Sequence, residues 1–444
     1  MMKKMNLAAA VLCLAVNAFA QSADEGWISL FNGKDLDGWR ASENKGTWSV
    51  KDGLLITHGE RSHLFYVGPV NNAQFKNFEF KCVVKTEPGS NSGMYFATAY
   101  QETDWPAKGY EVQVNNTHSD PKKTGGLYNV RDVMNNSPAK DGEWFTQHII
   151  VRGRQIIVRV NGKTTVMYNE PESVANSNVG RKLGVGTICL QGHDPKSVVY
   201  YKSVAIKPLP DDAREKIRVG VLTGGHDFER DHFFKLFEGY DDIEYMECEQ
   251  KDHSEVFEDI SKWDFDVLVC YNMTQNISEK RRANLLKLLE NGMGLVGFHH
   301  NMGAFQEWPE YKKIIGARYN LKATEEGGVQ VPGSTYKHDI DMNCKIASQR
   351  NPITRGLSDF QIHDEGYKGV SFESDNRVFL TTDHPDSDPT VGWTRRYGNA
   401  RIVGLMLGHD GKAYANENLR AIVANSIRYT AGQLVPQRSQ RTQR

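Results

Sequence analysis

The chain has 444 residues, with 54 Lys and Arg against 55 Asp and Glu, 39% hydrophobic and 10% aromatic residues, enough apolar material for two or three packed domains. The near-neutral balance leaves no basic footprint for nucleic acid or an anionic membrane surface. No stretch approaches the apolar length that a membrane-spanning helix needs.

At the N-terminus, Lys3 and Lys4 precede an apolar run from Leu7 to Val16, and Ala18-Phe19-Ala20 comes just before Gln21. This is the pattern of a secretory leader, so residues 1–20 are expected to be removed on export, with the periplasm as destination. Cys13 follows Leu12, where lipid-attachment sites have a small residue, which makes a lipoprotein the lesser reading. The five remaining cysteines, Cys82, Cys189, Cys248, Cys270 and Cys344, include no close pair and no C-x-x-C, and suggest neither a disulfide framework nor a zinc-thiolate site. Cys82, Cys189 and Cys270 lie in apolar runs and are expected in the core.

From Trp27 to about Lys207 the hydrophobic period is two, broken at short intervals by Gly, Asn, Asp and Pro. Phe78 to Val84, Phe145 to Val151, Gln155 to Val160 and Ser197 to Ile206 read as strands, and Asn161-Gly162 is a hairpin turn because both residues tolerate positive φ. No amphipathic helix of useful length interrupts them, so this half is expected to be an all-β sandwich or jelly roll. Within it, Asn91 to Phe96 and Gly109 to Val114 read as strands. Alternation puts Glu111 and Gln113 on one face, with Tyr110 and Val112 on the other. A carboxylate beside an amide suits a sugar site, but the spacing alone favours a solvated strand face.

Pro208 to Asp212 ends the strand pattern, and the period then changes. Ile217 to Thr223, Phe265 to Cys270, Gly294 to Phe298 and Arg401 to Leu407 are short apolar strands. Arg230 to Phe237, Ser278 to Glu290 (with Ser278 as N-cap) and Asn418 to Tyr429 read as helices. Alternating buried strands and helices predict a doubly wound parallel sheet, with a long irregular insertion between residues 299 and 400. His226, His299 and His409 each follow a predicted buried strand, where such sheets form their ligand crevice, and the Asp364-Glu365 pair is available to join them. Gly224-Gly225 is followed by no Lys-Ser/Thr and no G-x-G-x-x-G is complete, so no nucleotide cofactor is expected. Residues 433–444, with Arg438, Arg441 and Arg444, read as a disordered tail.

Several stretches of residues 25–207 resemble the family of 3-keto-disaccharide hydrolases: Leu30 to Trp39, Asn91 to Phe96, Gly109 to Gln113, Gly125 to Tyr128 and Leu190 to His193. The resemblance implies a concanavalin-like sandwich acting on glycosides whose C3 hydroxyl has been oxidised to a ketone. A C3 ketone acidifies the C2 proton, so one base can start an elimination that expels the C1 oxygen, after which water adds back. No pair of carboxylates is then needed. On this basis Glu111 and His193 are the candidate acid/base or metal-binding groups. Asn91, Ser92, Gln113, Tyr128, Arg131 and Gln191 are the candidate substrate-binding residues.

Residues 216–432 resemble the trehalose-utilisation family, related in fold to class I glutamine amidotransferases, through Thr223 to Asp227, Gly294 to His299, Asp364 to Tyr367, Trp393 to Gly398, Arg401 to Val403 and Gly408 to Asp410. The resemblance implies a flavodoxin-like α/β domain with a site at His226, Asp227, His299, Glu365 and His409. It departs from the amidotransferases in having His299-His300-Asn301 where they carry a nucleophilic cysteine, and from closer relatives in having Asn351 where they have a histidine. A divalent metal ion is the candidate cofactor, held by Glu111 and His193 or by His226, His299 and His409. The expected partner is a small oxidised glycoside, and oligomeric state is left open. Against an exported enzyme that cleaves 3-keto-glycosides stands a second reading, in which the sandwich only binds carbohydrate and the α/β domain carries any chemistry.

Overall fold

The structure, a computed structural model, describes residues 26–177 and 180–434. The expected leader, and the tail from residue 435, lie outside the described residues. Among the described residues, no helix is long and apolar enough to cross a membrane.

Residues 28–208 form two antiparallel sheets packed face to face. One contains eight strands, with Phe78–Thr86 near its centre; the other contains seven, in the order Arg131–Met134, Lys122–Leu127, Tyr110–Asn115, Asn91–Thr98, Thr187–Gly192, Ser62–Tyr66, Trp39–Ala41. Strict alternation drives the packing: Phe78, Phe80, Cys82 and Val84 all turn inward and are buried, and each large apolar side chain so buried contributes about 2 kcal/mol. The hairpin falls where the sequence places it, between Gln155–Val160 and Lys163–Asn169, with Asn161 and Gly162 at φ of 50° and 82°. Tyr110 and Val112 enter this core, which sends Glu111 and Gln113 to the opposite face of their sheet.

The second half, from Ile217, is built on a nine-stranded sheet ordered Ile243–Glu249, Ile217–Thr223, Val267–Cys270, Gly294–Phe298, Ala400–Leu405, Thr390–Tyr397, Arg377–Thr382, Thr335–Ile346, Phe360–Lys368. The first five are parallel; the last four join antiparallel. The expectation of a wholly parallel, doubly wound sheet is thus corrected, and so is that of an irregular insertion. Residues 335–397 supply four strands that the hydrophobic period hid, because Asp364 and Glu365 interrupt one of them and another begins with exposed residues. The helices Glu279–Glu290 and Glu417–Thr430 match the expected segments, and Ser278 caps the first by accepting the Arg281 N–H. Cys82, Cys189 and Cys270 are buried, and all five cysteines of the described chain are free thiols.

Candidate active sites

The seven-stranded sheet carries a cavity of about 230 Å³ on its outer face. Three neighbouring strands make its floor, and their register fixes what meets: Tyr95 lies opposite Glu111, and Gly93 opposite Gln113. Gly93 is needed there. A Cβ at that position would lie 2.3 Å from Glu111 Oε1, so only glycine lets the carboxylate lie across the Asn91–Thr98 strand to meet Gln191 on the next one. Gln191 Nε2 donates to Glu111 Oε1 at 2.8 Å and to the Tyr95 oxygen at 3.1 Å, which places the Tyr95 hydroxyl beside the Glu111 carboxyl. Gly109 holds the entry to the Glu111 strand: its φ is 79°, and a Cβ would meet Phe96 O at 2.0 Å, a conformation and approach open to glycine.

Glu111 is 5% and Gln113 2% exposed, so neither belongs to a solvated face. Burial pushes the Glu111 carboxyl up to about 7, against the hydrogen bonds from Tyr95 and Gln191 and the Arg181 charge, which pull it down. Tyr95 is held in its protonated form by burial and by the neighbouring Glu111 charge. Gln113 Nε2 donates to Asn91 Oδ1 at 3.1 Å. His193 stands at the rim with Nδ1–H donated to Asp194 at 2.7 Å, which frees Nε2 for proton exchange.

Of the residues expected in this site, Asn91, Glu111, Gln113, Tyr128, Gln191 and His193 line the one cavity. Ser92 does not: it points to the sandwich interior, where its hydroxyl meets Gln191 O at 2.6 Å and Tyr201 at 2.9 Å. Arg131 does not either, because Nη2 pairs with Asp264 of the second half at 3.2 Å. Tyr95, Trp105, Asp120 and Arg181 line the cavity as well. Tyr95 shares the alternating face of Asn91 and Gly93, a signal present in the sequence. Trp105, Asp120 and Arg181 come from connections between strands, where no period exists.

Glu111 and His193, the expected metal pair, line one cavity, and His193 gathers with His118 and Asp194. Asp194 is already engaged by His193, by Ser197 at 2.8 Å and by the Lys196 N–H at 2.9 Å, so it orients His193. His118 Nδ1 accepts the Asp120 N–H at 3.1 Å, so its neutral ring carries hydrogen on Nε2. This group fits proton transfer better than three-point metal ligation.

The second cavity, of about 260 Å³, opens beyond the carboxyl ends of the parallel strands and is lined by His226, His338, Glu365, Tyr367 and His409, among others. His299 lies fully buried just behind it, at the sharp turn after Gly294–Phe298, with φ of 51°. Its Nδ1–H donates to Met406 O at 2.8 Å. Its Nε2 faces Glu365 Oε2 at 3.0 Å, the Tyr367 hydroxyl at 2.9 Å and His409 Nδ1 at 3.3 Å. Burial works against a charged His299, but Glu365 and Asp364 outweigh it and raise the ring above its ordinary value. Asp364 turns away from the cavity and accepts the Gly408 and His409 N–H groups at 2.7 and 2.9 Å, fixing the loop that presents His409.

His299, Glu365 and His409 bring ligand atoms within 4.8 Å of one another. A histidine fixed through its other nitrogen by a backbone carbonyl is the usual setting of a metal ligand, so this set fits a divalent cation. His226 is outside it: the ring stacks on His300 at 4.3 Å, and Glu365 takes the place expected for it. Asp227 is exposed and its backbone oxygen meets His226 Nδ1 at 2.7 Å; the fold does not bring it to the cavity. His338, 3.1 Å from Glu365, went unnoticed because its strand lay in the stretch read as irregular.

Fold and sites define a two-part protein: a β-sandwich with a buried carboxyl in a polar cavity, joined to an α/β half with a histidine-carboxylate cluster. Residues 26–207 match the family model described as a 3-keto-alpha-glucoside-1,2-lyase-like domain, and residues 218–430 match that described as trehalose utilisation (ThuA). A 3-keto-disaccharide hydrolase of Bacteroides thetaiotaomicron is 24% identical over 172 residues, which cover 33% of this chain and 59% of that protein. The chain therefore spans less than two thirds of this relative. Among solved structures, a ThuA-like protein of Parabacteroides merdae aligns over 50% of this chain and 93% of its own at 20% identity, TM-score 0.43. A protein of Parabacteroides distasonis described as a glycosyl hydrolase aligns over 42% of this chain and 95% of its own at 25% identity, TM-score 0.36.

Proposed function

We propose that the sandwich cleaves the glycosidic bond of 3-keto-glycosides by elimination and rehydration, in an exported, periplasmic protein. The supporting observation is Glu111, a buried carboxyl that titrates near neutrality and shares one cavity with His193. A base poised near the working pH is what removal of an activated C–H requires. Ionised Glu111 takes the C2 proton, and the C–H pair moves into the enolate of the C3 ketone. Arg181, which lines the same cavity, supplies positive charge for the enolate oxygen. The C1–O bond then breaks, with His193, backed by Asp194, giving a proton to the departing oxygen. Water adds at C1 of the unsaturated ketone and gives its proton to His193, restoring the acid, while Glu111 returns its proton to C2.

Glu111→Gln removes the base while keeping the acceptor for Gln191. Release of the aglycone from a 3-keto-glucoside is expected to fall by about 100-fold or more, with wild type rising with pH around a midpoint near 7. Unoxidised glucosides are expected to be inert. Unchanged turnover in the variant, or equal activity on unoxidised substrate, sinks the assignment.

For the second half we infer a divalent cation held by His299, Glu365 and His409, which when bound would polarise a carbonyl or hydroxyl oxygen of a keto-sugar. Met406 O and Asp364 position two of these ligands. Metal analysis of the purified protein checks this: bound divalent ion is expected in wild type and largely lost in Glu365→Ala, and equal content in both rejects it.

A further inference from the structure

One strand past Gln191, behind Trp105 and outside the cavity lining, the same face of the sheet carries a further polar side chain. His63, on Ser62–Tyr66, lies directly opposite Gln191 in the antiparallel register, so the two side chains stand on the same face. His63 is 0% exposed, and neither of its ring nitrogens has a hydrogen-bond partner; the buried Gln191 Oε1 lacks one too. Buried polar atoms are satisfied in the great majority of cases. Three orphans on one cross-strand pair, beside a cavity, mark a place shaped for a hydrogen-bonding group. An ordinary core position would take phenylalanine here, as Phe65 does two residues on.

Trp105 covers the spot. Its ring meets His63 edge to face at 5.4 Å and His193 at 5.5 Å, with the Arg61 guanidinium 5.2 Å from its centre. It lines the cavity, is 40% exposed, and sits on a connection without helix or strand. Tyr95 closes the other side of His63 at 5.7 Å.

We propose that His63 and Gln191 hold a sugar hydroxyl in a subsite roofed by Trp105, whose indole stacks on the pyranose face. A neutral imidazole offers one donor and one acceptor, and Gln191 Oε1 offers a second acceptor. A hydroxyl accepts from the imidazole N–H and donates its one hydrogen to Gln191 Oε1, which leaves the other ring nitrogen to a second hydroxyl or a water; a carboxylate or phosphate uses only the donor. Burial, with the Arg61 charge beside it, keeps the ring neutral down to about pH 4, so the set does not change over the working range. The ligand is therefore an uncharged sugar ring. Trp105 must lift its edge from His63 to admit it, and its exposed position leaves room to do so. The subsite deepens the reading of Glu111 and rests on it only for the identity of the sugar as a keto-glycoside.

The test compares wild type, His63→Phe and Trp105→Ala, with methyl α-glucoside for calorimetric binding and its 3-keto derivative for kinetics. His63→Phe is expected to melt at or above the wild-type temperature, since it removes two unsatisfied nitrogens. Its KM for the keto-glucoside and Kd for methyl glucoside are expected to rise about tenfold, the worth of one to two hydrogen bonds, with kcat within about threefold. Trp105→Ala is expected to weaken binding of both sugars. Unchanged KM and Kd in His63→Phe overturn the proposal, as does a lowered melting temperature with kcat lost and KM kept. Wild type that binds neither sugar overturns it too. If wild type leaves the keto-glucoside intact but His63→Phe still weakens binding of methyl glucoside, the Glu111 chemistry falls and the subsite stands.

Discussion

Glu111 keeps its proton to about pH 7 in the folded chain, where burial outweighs its hydrogen bonds, but only to about pH 4.5 when unfolded. Between those values the folded state binds the extra proton, so stability falls as pH rises through the window and stays reduced above it. A shift of this size corresponds to roughly 3 kcal/mol. Glu111→Gln has no such ionisation to suppress. Its stability relative to wild type is therefore expected to grow between pH 4.5 and 8 by up to about 3 kcal/mol, read by denaturant titration at the two pH values. A difference that does not vary with pH would mean the carboxyl is not desolvated as described. The same burial that weakens the fold sets the Glu111 carboxyl near neutrality, so loss of activity and gain of stability in one variant would have one cause.

Along each strand of the sandwich the sequence is informative because period two has a physical consequence: Tyr110 and Val112 must enter the core, which leaves Glu111 and Gln113 on the other face. What alternation cannot reveal is how that face is covered. The Glu-x-Gln pattern reads first as a solvated face, and the cavity over it is completed by Trp105, Tyr128 and Arg181 on connections that no period governs. Gly93 shows the reverse: its glycine looks like a weak strand residue until the Glu111 carboxylate is seen to need the space of its missing Cβ. Ser92 shows the limit of carrying a motif whole, since its neighbours Asn91 and Gly93 face the cavity and strand geometry sends it the other way. In the second half, histidines after apolar strands are legible because parallel strands end at a common crevice. The strand that holds Glu365 is not, because its central charged pair, buried for the site's sake, erases the hydrophobic signal.

Across the whole molecule, the sandwich docks on the outer strand Ile243–Glu249 and at the amino ends of the parallel strands, where Gln155 meets Lys216 O at 2.9 Å and Arg131 pairs with Asp264. The histidine-carboxylate cavity lies beyond the carboxyl ends of those strands, so the two cavities share no walls. At the junction, Ile150, Ile157 and Met167 pack on Met246 and Phe265. Beside them the buried Glu244 accepts from Arg159 Nε at 2.9 Å and Thr164 at 2.6 Å, with Lys216 at 3.4 Å. Burial works against the Glu244 charge, but Arg159 and Lys216 outweigh it and hold its carboxyl below the ordinary value. Its stabilisation is thus present above about pH 4.5 and lost as pH falls through the lowered value. Glu244→Gln keeps the volume but leaves Arg159 and Lys216 without their counter-charge, which costs about 3 kcal/mol for a buried pair. Much of that loss falls on the junction, since Arg159 and Thr164 reach Glu244 from the sandwich. Wild type at pH 7 is expected to unfold in one calorimetric transition, and Glu244→Gln to split it into two, with catalysis by the sandwich retained at temperatures below the first. One unshifted transition in the variant would show that the apolar contact, and not the ion cluster, couples the halves.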